Sequence, residues 1–363
     1  MNLFIALFIP ESIEKTISRR MHMQRKRVSY AKYGYIFSIP FVVTFMLFTL
    51  YPIVFTVILG FTDFKGLGTT TFHFLDNPFQ NFQTILNAPT FRTALGNTVM
   101  IWAWNFLPQI LLALLLAALF TNVRHKIKGQ GFFKVVFYMP NIITAATVAI
   151  LFAAMFGYPM GPMNDLVQSL GFADKPIFFM QNKWVARGVV AFIQFWMWYG
   201  YTMIVLISGI LGISPELYEA ADIDGASQIQ QFFYVTLPNL RTILIYTLIT
   251  SLIGGLQMFD IPKLLVQKSG PNNATLTTSV FIYDQAFSGS YMYNRASAAS
   301  MIMFIIIGVL SAIVFILMTD KSEVEEKREI KRAEKKMRQA EKARLALQSA
   351  NTENAADVQK GGK

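Results

Sequence analysis

Cysteine is absent from the 363 residues, so no disulfide, thiol nucleophile or cysteine-held metal is available. Histidine is scarce: His22, His73 and His125 lie far apart, and no metal site is expected. No G-x-x-x-x-G-K-S/T stretch occurs, so nothing in the chain cradles a nucleotide's phosphates. Charged residues make up only 15% of the chain, against 54% hydrophobic residues that include 33 Phe. A soluble domain of this size rarely combines those figures, and the membrane class follows.

Charge is excluded from particular stretches. Uncharged runs cover 33–62, 93–123, 135–164, 188–215, 242–259 and 296–319. A helix needs roughly 20 apolar residues to cross the hydrocarbon core. The expected fold is therefore all-α, a polytopic membrane protein with six transmembrane helices. Runs such as ILLALLLAALF (110–120) have no polar face, unlike buried helices of soluble proteins. No catalytic pair lies at helical spacing inside these runs, so no catalytic residue is expected.

Bases set the orientation. The first segment, 1–32, holds Lys15, Arg19, Arg20, Arg25, Lys26, Arg27 and Lys32. The second connection holds Arg124, Lys126, Lys128 and Lys134 with no acid. The segment 321–363 holds twelve bases, Lys321 to Lys363. Positive flanks stay in the cytoplasm, which puts both termini inside. Pairs such as Glu323/Lys327 and Glu334/Arg338 support a solvated helix to about Leu347, and the polar remainder reads as disordered. MNLFIALFIP (1–10) is too short to span; it is either an interfacial segment or lies ahead of a true start at Met21 or Met23.

One inner connection breaks the charge rule. Parity places 213–241 in the cytoplasm, yet it carries Glu216, Glu219, Asp222 and Asp224 against Arg241 alone. Anionic lipid would repel it, so it is expected to face a protein partner. Ser214 and Pro215 signal a helix start. Gly225 ends that helix, Ala226 to Tyr234 can form a second, and Pro238 stops it. Small Ala220, Ala221 and Ala226 suit a close contact, with Phe232, Phe233 and Tyr234 expected to root the element.

The segment 219–238 resembles the EAA motif of importer-type ABC permeases: E-A-A, three residues, G, nine residues, I-x-L-P. Here it reads Glu219-Ala220-Ala221, Gly225 and Val235-Thr236-Leu237-Pro238, with valine for isoleucine. The likeness runs from Tyr33 to Asp320, the permease domain. Tyr51-Pro52, Phe61-Thr62-Asp63-Phe64, GQGFFKVVFYMP (129–140), Asp260-Ile261-Pro262 and Gly270-Pro271 with Thr275 are similar to the larger subunit of maltose-type carbohydrate importers. Ser269 stands where that branch usually has a second glycine. The resemblance implies a type I ABC importer transmembrane architecture in a bacterial cell membrane. It also implies a coupling loop, 213–238, in which Glu219, Ala220, Ala221, Gly225, Leu237 and Pro238 dock into a separate ATPase.

The cargo path calls for polar and aromatic groups at mid-membrane depth. Gln194, Trp198 and Tyr201 share one face of the fourth run, and Ser251, Gly255 and Met258 one face of the fifth. An amide, an indole and a phenol suit a sugar's hydroxyls and its C–H face. By offset from Glu219, the resemblance places Gln194, Met197, Trp198, Tyr201, Thr202, Ser251, Gly255 and Met258 along the substrate path. An interhelical hydrogen bond by Gln194 and interfacial placement of the aromatics are the competing readings. Asn105 and Gln109, around Pro108, are weaker candidates and better suited to holding helices together.

The expected function is a permease subunit importing a neutral sugar or oligosaccharide. The expected partners are a second EAA-type permease, two ATPase subunits, an extracytoplasmic sugar-binding protein and membrane lipid, with no nucleic acid. No cofactor is expected on this chain; ATP and magnesium belong to the ATPase. The alternatives are a polyol or osmolyte permease, or an ion-coupled carrier. The acid available to a carrier is Asp260, which is expected to pair with Lys263 three residues on.

Overall fold

The computed structural model describes residues 31–319 except 67, 69–70, 123–126, 267–268 and 290. Residues 1–30 of the basic first segment, Arg124 and Lys126, the expected tail helix to Leu347 and the polar end beyond it lie outside the described residues. Among the described residues the regular structure is helical, apart from one isolated bridge between Thr62 and Phe74. The chain divides into two units, Met1–Ile58 and Leu59–Lys363.

The first unit contributes α1, Lys32–Leu59, all but its last residue. At 1.5 Å per residue its 28 residues reach about 42 Å, enough to cross a bilayer core. Three of its hydroxyls are satisfied within the helix: Ser38, Thr44 and Thr56 each donate to the carbonyl four residues back at 2.8 Å. A wide π turn, Met46–Leu50, precedes Pro52, whose missing amide hydrogen loosens the helix there.

The second unit holds the remaining helices. They are α2 (Gln80–Asn87), α3 (Pro89–Thr121), α4 (Gln130–Ile142), α5 (Ala145–Met155) and α6 (Pro162–Ser169). After α7 (Lys183–Leu211) come α8 (Pro215–Ile223) and α9 (Gln228–Gln231), then α10 (Arg241–Leu256), α11 (Asp260–Leu265), α12 (Thr278–Phe287) and α13 (Tyr293–Met318). The long helices α1, α3, α7, α10 with α11, and α13 match five of the six expected spans. The third is different: α4 and α5 meet at an 88° bend rather than forming one rod across 135–164. Pro140 withdraws a backbone donor from the last turn of α4, and Ile143 and Thr144 are extended. Thr144 then caps α5, its Oγ1 accepting from the Thr147 amide at 3.3 Å. An uncharged run reports burial, not straightness.

The central pair is α3 against α7, with α4 on α7, α5 on α11, and α10 and α12 on α13. Three apolar clusters fill the joints. One joins α2, α3, α10, α12 and α13 through Ile85, Phe91, Leu256, Phe281 and Ile302. Another joins α3, α5, α7 and α11 through Ile101, Val148, Ile193 and Ile261. A third joins α3 and α7 through Leu116, Phe120, Met203 and Leu206. At Gly200 the backbones of α7 and α4 nearly touch, and a Cβ there would lie 2.1 Å from the Phe137 carbonyl oxygen. Small residues permit such approaches between membrane helices.

Polar ties fix the loop ends. Asn81 Nδ2 donates to the carbonyls of Gly60 and Thr62 at 3.0 and 2.9 Å. Arg187 Nη2 donates to Asn97 Oδ1 at 2.6 Å, and its Nε to the Ala274 carbonyl at 3.0 Å. Arg187 thus fastens α7 to α3 and to the loop before α12.

Candidate functional site

A cavity of about 370 Å³ opens among α3, α7, α10 and the break before α11. Gln194, Met197, Trp198, Tyr201, Thr202, Ser251, Gly255 and Met258 all line it, and so do Asn105 and Gln109. The helical period explains the grouping. Positions 194, 198 and 201 present one stripe of α7, and 251 and 255 one stripe of α10. Met258 enters because α10 ends at Leu256, and the chain turns through Gln257 and Phe259 before Asp260 starts α11.

These residues play unequal parts. Met197 and Met258 are buried and belong to the apolar cluster behind the wall. Thr202 is engaged: its Oγ1 accepts from Gln109 Nε2 at 2.7 Å and donates to the Trp198 carbonyl at 3.2 Å. Gln109 therefore joins α3 to α7, as its position near Pro108 suggests. Gln194 has no hydrogen-bond partner among the described residues, so its amide remains available to the cavity, as does that of Asn105. Trp198 is 45% exposed, and its ring meets that of Tyr201 edge-on, with centroids 6.0 Å apart. Tyr201 and Tyr246 of α10 both line the cavity.

Trp102, which supports the cavity wall from behind, is a residue that sequence reasoning missed. Its Nε1 donates to Ser251 Oγ at 3.2 Å, and its ring stacks on Phe106 at 5.5 Å. A Cβ at Gly255 would lie 2.0 Å from the Trp102 Cδ1, so the glycine is the seat of the indole. No pattern within α3 distinguishes Trp102 from Trp104; only the approach of α10 does. Tyr246 was missed for the same reason.

The expected pairing of Asp260 with Lys263 does not occur. Lys263 Nζ instead reaches Asp284 Oδ1 at 2.5 Å and lies 4.9 Å over the Tyr283 ring. Asp260, which starts α11, lines the cavity, while Lys263 reaches Asp284 of α12.

The second candidate element is the acidic loop. Pro215 begins α8 with Glu216 in its first turn, as expected, but the Ser214 side chain makes no capping hydrogen bond. Gly225 has φ +76°, the left-handed region where glycine is unstrained. There the chain closes α8, with the Ala226 amide donating to the Ala221 carbonyl at 2.9 Å. Ser227 then starts α9 with a capping box: the Gln230 amide donates to Ser227 Oγ at 3.3 Å, and the Ser227 amide to Gln230 Oε1 at 2.8 Å. Gln231 Nε2 reaches back to the Asp222 carboxylate. A π turn, Phe232–Thr236, follows and leads into Leu237 and Pro238.

Of the aromatic triplet only Phe232 is half-buried, so the triplet roots the loop less than expected. Phe233 is exposed, and Tyr234 is 80% exposed. The π turn supplies the reason, since a widened turn rotates these side chains off the inner face. Within the element the Tyr218 hydroxyl meets Thr236 Oγ1 at 3.0 Å, and Asn122 Nδ2, just after α3, ties it to the bundle by donating to Gln228 Oε1 at 3.2 Å. Glu219 and Ala220 are exposed, and Ile223 is 87% exposed. An acid beside bare apolar side chains on a compact helix pair is a surface fit for contact with protein.

A helical membrane bundle with a polar, aromatic cavity and an outlying helix pair defines a translocation domain. The chain belongs to the binding-protein-dependent transport system inner membrane component family, which matches residues 109–322. It is similar to the arabinooligosaccharides transport system permease protein AraP of Bacillus subtilis, 34% identical over 280 residues, covering 77% of this chain and 86% of the relative. It is also similar to the lactose transport system permease protein LacF of Rhizobium radiobacter, 30% identical over 288 residues, covering 78% and 92%. A crystal structure of a bacterial ABC transporter for import of the acidic polysaccharide alginate shares the fold, with TM-score 0.67 and 22% identity, covering 81% of this chain and 97% of that one.

Proposed function

We infer that this chain is the translocation subunit of an ATP-driven importer whose cargo is a neutral saccharide. The observation that carries the reading is the lining of the cavity: free amides, hydroxyls and an open indole face, with no base among the described lining residues. Amides exchange hydrogen bonds with sugar hydroxyls, and the indole stacks on the C–H face of the ring. The names of the relatives, for arabinooligosaccharides and lactose, agree with such cargo. An acidic polymer such as the alginate of the fold neighbour would call for bases along the path.

The loop 213–238 is the coupling element, with Glu219, Ala220, Ala221, Gly225, Leu237 and Pro238 as its defining residues. It faces the cytoplasm, as do both termini. The working assembly contains a second permease with a like loop, two ATPases that hold ATP and magnesium, and an external saccharide-binding protein. Moving a bundle from 1:99 to 99:1 between two states takes about 5.5 kcal/mol of differential binding. The work of ATP engagement reaches the helices through this loop. Residues at the cavity then bind and release cargo as α7 and α10, which flank the loop, shift.

The test is uptake by the reconstituted assembly of a neutral trisaccharide, α-1,5-arabinotriose. Trp198→Ala removes the stacking face and raises the half-saturating concentration about tenfold, the equivalent of one aromatic contact. Unchanged uptake in Trp198→Ala removes the cavity from the path. Uptake driven by an ion gradient without the ATPase removes the coupling role and makes the chain a carrier.

A further inference from the structure

The cavity carries one charge, and the neutral saccharide chemistry proposed for it does not require one. Of the described residues lining it, Asp260 alone is charged; the others are amides, hydroxyls, aromatics and apolar side chains. The Asp260 side chain is exposed and makes no hydrogen bond or ion pair with a described residue. The base one turn along, Lys263, is neutralised elsewhere by Asp284 at 2.5 Å, and Ser288 Oγ donates to that same carboxylate at 2.8 Å. The local sum over Asp260, Lys263 and Asp284 is therefore one negative charge, and it sits at the cavity.

An ionisable group within a membrane span is costly unless it faces water or a partner, so its retention there asks for a use. Low-dielectric walls around a small cavity spread the field of a single charge through the whole space. A charge that faces cargo, and no protein cation, selects cargo by sign.

We propose that Asp260 is the charge-selecting residue of the cavity, admitting neutral and amino-bearing saccharides and turning back uronate-bearing ones, resting on the reading of the cavity as the cargo path. The carboxylate can also accept hydrogen bonds from sugar hydroxyls, so the same group favours neutral cargo over none. Its place at the break between α10 and α11 puts it at one end of the stripe formed by Ser251 and Gly255. Cargo passing that stripe meets the charge.

The chain's lack of cysteine gives a direct measurement. Gly254 lines the cavity, and a Cβ there meets nothing within 4 Å, so Gly254→Cys adds one thiol in open space. The detergent-solubilised assembly is treated with two methanethiosulfonates of similar size, one bearing trimethylammonium and one bearing sulfonate. The ammonium stands in for an amino sugar and the sulfonate for a uronate. Modification is followed by the mass of this chain. The ammonium is expected to react faster than the sulfonate by on the order of tenfold beyond their ratio on a free small thiol. Asp260→Asn should collapse that preference, and Asp260→Glu should keep it. An unchanged ratio in Asp260→Asn, or no preference in the parent, overturns the proposal. The measurement uses no saccharide, so failure of arabinotriose uptake would strike the proposed cargo and leave the charge selection by Asp260 intact.

Discussion

The acidic loop and the cavity are held together in opposite ways. Apart from the Asn122–Gln228 tie, 106 residues apart, the loop is a local network: Ser227 with Gln230, Gln231 with Asp222, and Tyr218 with Thr236, a separation of 18 residues at most. The cavity is closed by long-range ties. Gln109 and Thr202 are 93 residues apart, and Trp102 and Ser251 are 149 apart. A local network can move as one body, because few of its bonds depend on the rest of the chain. A cavity whose walls come from three helices changes shape whenever those helices shift. The pairing of a stiff lever with a deformable chamber is what a translocating subunit requires.

The largest effect is expected where the lever's hinge is broken. Gly225 holds φ +76°, and proline is confined near −65°, so Gly225→Pro cannot adopt the native turn. Uptake should vanish while the chain still reaches the membrane in normal amount, because the three apolar clusters draw no residue from 214–238. Glu219→Lys reverses an exposed charge without touching the hinge and should also abolish uptake by spoiling the contact surface. Normal uptake in both variants would show that the loop carries no motion.

The difference between the two regions also decides how much the sequence alone could disclose. The loop was legible, since helix start, glycine break and terminal proline stand within 25 consecutive residues and answer to local backbone chemistry. Its errors were local as well. The π turn at Phe232–Thr236 has no distinct composition, so the outward swing of Tyr234 was hidden. For the cavity, periodicity exposed the stripes on α7 and α10 but not what came to meet them. Trp102 entered from α3, and Lys263 left Asp260 for Asp284, on α12. Five spans were readable from missing charge, while the bend between α4 and α5 depended on Pro140 and Thr144 acting together inside an uncharged run.

A middle-sized effect should separate shape from hinge. Gly200→Ala places a methyl group 2.1 Å from the Phe137 carbonyl oxygen, so α4 and α7 must part. Overpacking of this kind costs about 1–3 kcal/mol. The purified assembly should melt several degrees lower, and uptake should fall in step with the loss of folded protein. Gly254→Ala, with open space around it, should leave melting close to normal. Equal melting for the two variants would mean that α4 and α7 are not in contact at Gly200.

The smallest effect tests whether a second local network behaves like the lever. In the loop after α1, the His73 amide donates to Asp63 Oδ1 at 2.8 Å, and the His73 ring lies 3.6 Å from Oδ2. The backbone hydrogen bond is the main cause that holds the Asp63 carboxyl below its ordinary value of 3.8; slight desolvation opposes it, and the charge of His73 adds to it. A depressed folded value means that the contribution is fully present above the unfolded value and fades as pH falls through the folded one. Wild type should therefore out-melt Asp63→Asn slightly at neutral pH, and the gap should close on acidification below about pH 4. The group is solvent-exposed, so the gap should be small and local. A gap that stays constant or widens in acid would show that Asp63 does not hold the loop by its charge.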